Sequence, residues 1–137
     1  MGRRYAVFSV KPKFARALVD GRKKFEFRRM KPTLRPGDIV YVYATSPVKA
    51  VIGSFVCGSV VEGSPTRLWD DLGPDSHTPR SYFRRYFRDA RRAFAIEVQS
   101  PMSWARPLEL DDVRARIPGF WPPQSYRFVP TKLGLAV

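Results

Sequence analysis

Gly21-Arg22-Lys23-Lys24-Phe25-Glu26-Phe27-Arg28 decides how this chain is read. Side chains alternate between the two faces of a strand. As a strand over residues 22–29, this stretch puts Glu26 and Arg28 on one face with Lys24, and Phe25 and Phe27 on the other. The carboxylate and the guanidinium then stand two residues apart, close enough to pair, just after a glycine turn that also brings in Lys23. Such charge density beside an aromatic face points to a polar cleft. The competing reading is a solvated strand face whose ion pair adds little to stability.

Working outward, Tyr5–Lys11 alternates as a strand, and Pro12 opens a helix at its first turn, where proline is tolerated. Phe14, Ala17 and Leu18 recur at helical spacing and mark its buried face, and Gly21 closes it in the left-handed conformation. C-terminal to the charged strand, residues 30–37 form a loop and Ile39–Ala44 a strand that Ser46-Pro47 breaks. Val48–Val61 is a long strand in which Gly53 and Gly58 suggest bulges or a tight bend. Helices are expected at 65–72 and 79–89, the second capped by Thr78 and carrying Tyr82 and Tyr86 on a packed stripe, and a last one from Asp111 or Asp112 to Ile117. A strand at 93–98 and a short one ending near Phe128 complete the set. One α+β domain over 1–137 is expected, with 130–137 as a loose tail.

At 137 residues, with 44% hydrophobic and 14% aromatic content, the chain can bury a core without disulfides or metals. No apolar run reaches membrane-spanning length, and Met1-Gly2-Arg3-Arg4-Tyr5 lacks both the apolar core of an export signal and the myristoylation pattern. The single cysteine, Cys57, lies in an apolar strand and reads as a small buried residue rather than a nucleophile. One His and one Cys do not make a zinc site; no metal and no cofactor is expected, and a cytoplasmic location is the simplest reading. The net charge of +13 rests largely on arginine, which forks onto phosphate and stacks on flat rings. With abundant aromatics it suggests nucleic acid, although a GC-rich genome would also enrich Arg and the 13 prolines.

The element Gly21-x-Lys23-x-x-Glu26-x-Arg28 resembles the signature of the ASCH domain, a PUA-like fold. Ser9-Val10-Lys11-Pro12, Gly37-Asp38, Tyr43-Ala44-Thr45-Ser46-Pro47 and Pro122-Pro123-Gln124-Ser125-Tyr126 agree with it, so the likeness spans residues 5–128. It implies a small mixed β-barrel of five to six strands decorated by three to four helices, with a cleft beside the signature. It also implies RNA as partner, as a single strand or a modified base. DNA is the other nucleic acid the charge admits; a membrane is not expected, and the chain is expected to be a monomer. Some ASCH members are enzymes that cleave RNA or deacylate a modified cytidine. In the deacylating branch a nucleophilic threonine falls where this chain has Glu26, which argues against acetylcytidine hydrolysis here.

The expected nucleic-acid contacts are Lys23, Glu26, Arg28, Tyr43, Ser46, Trp121 and Ser125, with Arg84 and Arg88 tracking the strand. Lys23 is read as a phosphate contact ahead of a proton acceptor, and Tyr43 and Trp121 as stacking rings or as packing. Should the cleft be catalytic, Lys23, Tyr43 and Ser125 are the candidates for metal-independent ribonuclease or amidohydrolase chemistry. His77 is the only histidine, and nothing in the sequence brings it to Ser125.

Overall fold

The computed structural model describes residues 3–133. Six strands and four helices follow in the order β1 (Tyr5–Val10), α1 (Pro12–Val19), β2 (Phe25–Arg28), β3 (Ile39–Ala44), β4 (Ala50–Gly63), α2 (Pro65–Leu72), α3 (Arg80–Tyr86), β5 (Ala93–Glu109), α4 (Leu110–Arg116) and β6 (Tyr126–Val129). The strands make one mixed sheet in the order β2-β5-β4-β3-β1-β6, curled into a half-barrel. β1 and β3 run parallel and α1 lies on their crossover; the remaining pairs are antiparallel.

Each sheet face buries its own cluster. Phe8, Val40, Val42 and Ala44 pack against Phe14, Leu18 and Val19 of α1. Their neighbours in the alternation, Val7, Tyr41 and Tyr43, pack on the other face against Val113, Ile117 and Phe120. A third cluster joins Phe27 of β2 to Leu68 of α2 and to Phe83 and Phe87 at α3. β4 and β5 bend together through three register shifts. Gly53 permits the bend's closest approach: a Cβ there would lie 2.2 Å from Met102 O and 2.7 Å from Val19 Cγ1.

Several boundaries differ from the expectations. β2 begins only at Phe25, because Lys23 and Lys24 spend their amides on Ala17 O and Asp75 O rather than on a ladder. β5 continues to Glu109 instead of ending at Val98, since the long partner β4 supplies a ladder that alternation in the exposed half of β5 does not advertise. Thr78 does not cap α3; Pro79 holds that position and Thr78 Oγ1 is turned to Lys23. The tail is anchored through Leu133, which is buried and donates its amide to Tyr41 Oη at 3.0 Å; residues 134–137 of that expected tail lie outside the described residues. Gly21 does take the left-handed conformation, with φ 86°.

Candidate functional site

The end of α1 and the turn at Gly21 deliver Lys23 into the protein interior. Its side chain is 4% exposed. The ammonium donates to Ser76 O at 2.9 Å and to Thr78 Oγ1 at 2.7 Å, with Glu26 Oε1 3.9 Å away. The rings of Phe14 and Phe27 lie 5.3 and 5.5 Å from it. Burial pushes the Lys23 amine below its ordinary value; Glu26 works against that shift and Arg28 with it. Two of the three donors of the Lys23 ammonium are thus used inside the protein.

Strand alternation places Glu26 and Arg28 on the same side of β2. Arg28 Nη2 donates to Glu26 Oε2 at 2.8 Å, and Arg28 Nη1 donates to Ser125 Oγ at 2.8 Å across 97 positions of sequence. The second bond links the two edges of the sheet, from the end of β2 to the residue before β6. Arg28 Cζ stands 4.5 Å over the Phe8 ring. Among the described residues, Arg28 Nε and Ser9 Oγ are buried and have no hydrogen-bond partner.

Lys23, Glu26, Arg28 and Ser125 border a cavity of about 490 Å³, and Ser9 lies at it as well. Phe14, Phe27, Tyr82, Phe83 and Tyr86 add an aromatic lining, and Thr45 and Thr78 add further polar groups. Tyr82 and Tyr86 stack at 6.3 Å and 12°, and burial raises the Tyr86 phenol, keeping it protonated. The site therefore pairs a hydrogen-bonding edge with flat apolar walls. Buried polar groups left without partners favour a ligand able to supply them.

Other expected site residues lie elsewhere. Tyr43 is buried on the opposite face of the sheet with Val113 and Ile117 and does not line the cavity. Ser46 is exposed, and its neighbour Thr45 borders the cavity instead. Trp121 is 68% exposed and carries Arg114 over its ring at 4.5 Å, away from the cavity lining. Arg84 lines a separate groove beyond α3, and Arg88 is exposed past the end of that helix. His77 is exposed, 3.3 Å from Arg22 Nη1, and borders neither Ser125 nor the cavity.

Sequence reasoning missed Ser76, Thr78 and Thr45 as site residues, since they carry no local signal. The helical spacing of Tyr82 and Tyr86 does mark one face of α3, but nothing local says that the face borders a hollow.

The ASCH domain profile matches residues 8–102. The chain belongs to the ASCH domain family. It is 36% identical over 125 residues to the ASCH domain-containing ribonuclease of Zymomonas mobilis, covering 90% of this chain and 82% of that protein. The crystal structure of ASCH from Zymomonas mobilis superposes with a TM-score of 0.89 at 34% identity, covering 94% of this chain and 90% of that one. The N-terminal domain of McrB from Staphylothermus marinus shares the fold alone, with a TM-score of 0.53 at 17% identity and 84% of each chain covered. Among the described residues, no helix of this ASCH protein is long and apolar enough to cross a membrane. Nor do three or more His, Cys, Asp or Glu side chains gather there as a metal site would require.

Proposed function

We propose that this ASCH protein binds single-stranded RNA and takes one nucleobase into the cavity beside Glu26 and Arg28. One observation carries the reading: a buried carboxylate–guanidinium pair, 2.8 Å apart, borders an aromatic-walled cavity of about 490 Å³. Glu26 accepts from an exocyclic amino group or ring N–H, and Arg28 Nε supplies a donor to a ring nitrogen or carbonyl. Tyr82 and Tyr86 stack on the base, an interaction worth about 1–3 kcal/mol per base. Lys23 holds the local charge balance and fixes Glu26 in place. A base carrying an added substituent fits the same edge-and-wall logic.

Fluorescence anisotropy of a labelled single-stranded RNA tests this. Glu26→Gln and Tyr82→Leu should each weaken binding about tenfold, with circular dichroism and melting curves matching the parent. Unchanged affinity in both folded variants would remove the cavity from the function.

A second reading, cleavage of the bound RNA, is supported by the ribonuclease name of the Zymomonas mobilis relative. In that reaction the 2′-oxygen, losing its proton to Glu26, attacks phosphorus, and the 5′-oxygen leaves with a proton from the Lys23 ammonium, which borders the same cavity. Arg28 offsets the charge that develops on the phosphoryl oxygens. End-labelled RNA incubated with EDTA should then yield fragments ending in a 2′,3′-cyclic phosphate, and Glu26→Gln should abolish them. No turnover above that variant leaves binding alone.

A further inference from the structure

α3 has two working sides. Tyr82 and Tyr86 border the cavity just described. On the helix's far side, Arg80 and Arg84 join Trp69 and Asp70 of α2 in a second, open groove of about 210 Å³. Phe83 lines both hollows and forms the partition between them. The Trp69 indole is held on that partition, its ring 5.0 Å from the Phe83 ring. Behind it, Gly73 lies so close that a Cβ would come within 2.7 Å of Trp69 Cδ2. Arg80 and Arg84 are exposed, and among the described residues neither lies within 4.0 Å of a carboxylate. Arg92, by contrast, is held by Glu62 at 2.7 Å. Two unpaired guanidiniums beside the edge of an aromatic ring suit a nucleotide, whose phosphate is forked while its base packs against that edge. Asp70 supplies an acceptor for a base amino group and disfavours a phosphate placed directly beside it.

We propose that the Trp69–Arg80–Arg84 groove is a second nucleotide subsite, taking the neighbour of the base held in the main cavity, with the RNA backbone crossing α3 between them. This rests on the RNA-binding reading of the main cavity and extends it from one nucleotide to a strand. The minimal ligand is then an oligonucleotide rather than a free nucleotide. The backbone phosphate between the two bases meets the arginines of α3.

The test compares a nucleoside monophosphate with a labelled six-nucleotide RNA on the parent chain, on Arg80→Gln/Arg84→Gln and on Glu26→Gln. The arginine variant should bind the oligonucleotide about tenfold more weakly and lower the slope of log affinity against log salt by about 0.7, for the one backbone phosphate no longer neutralised. It should bind the monophosphate as the parent does. Oligonucleotide quenching of tryptophan emission should disappear in Trp69→Phe. Parent-like oligonucleotide affinity and salt slope in the arginine variant, with Glu26→Gln still weakened, overturns the subsite and leaves the main cavity standing. Equal weakening of the monophosphate overturns it too, as does polyglutamate competing as well as RNA, which would assign the groove to an acidic protein. Failure of the parent chain to bind RNA removes both readings together.

Discussion

Lys23 shows how one buried charge is tolerated. Its ammonium has lost water but gained Ser76 O, Thr78 Oγ1 and the nearby Glu26 carboxylate. Lys23→Met keeps the stem and removes the charge, taking the lysine donor from Thr78 Oγ1 and leaving Ser76 O with the Thr78 hydroxyl as its remaining donor. It should cost about 1–3 kcal/mol in urea unfolding. Burial depresses the folded-state value of this amine below its ordinary 10.5. Just below pH 10.5 the unfolded chain therefore binds more protons at this position than the folded one, so its contribution to stability rises with pH across that interval. The free-energy gap between parent and Lys23→Met should change along that slope; a gap independent of pH would mean the amine titrates alike in both states. Cys57 behaves oppositely. Burial pushes its thiol from 9.0 up to about 11, and its side chain has no exposed surface. Iodoacetamide should label it only at the rate of unfolding; rapid labelling of the native chain would contradict the buried placement. The pairing of Glu26 with Arg28 was legible at this scale, since an i, i+2 spacing on a strand suffices. The partners of Lys23 were not, because Ser76 and Thr78 arrive from a loop more than fifty positions away.

Among the elements, the long bent pair β4–β5 decides the shape of the half-barrel. Its tightest point is Gly53, whose missing side chain lets Met102 O and Val19 approach. The blocking atoms include backbone, so they yield little. Gly53→Ala should destabilise by about 1–3 kcal/mol, measured by urea unfolding, and a neutral result would mean the strands do not meet so closely. α3 carries the site, and its anchor is Phe83, 4% exposed and edge-on to Phe27 at 4.8 Å. Phe83→Ala should cost about 3–5 kcal/mol and loosen both walls that the helix provides. The glycines at 53 and 58 announced the bend in the sequence. The second half of β5 gave no such signal, because its side chains are mostly exposed and only pairing with β4 holds it extended.

For the whole molecule, a net charge of +13 sets a salt-dependent attraction for polyanions. Log affinity for single-stranded RNA against log salt should fall with a slope of about −2 or steeper if three phosphates are engaged, at roughly −0.7 each. A flat dependence would separate the charge from RNA binding. The amino-acid sequence by itself determined the charge, the family signature, the helices that begin at Pro12 and Pro65, and the Glu26–Arg28 pair. These are local properties, fixed by proline geometry and by the two-residue repeat of a strand. Only the tertiary structure decided which face of the sheet meets the cavity. α1 and α3 cover one side and α4 the other, so Tyr43, packed with Val113 of α4, is buried away from the site, while Ser125 is carried to Arg28 at the opposite sheet edge. Strand alternation settles which residues share a face; the side on which helices pack and edges converge depends on contacts among segments far apart in the chain.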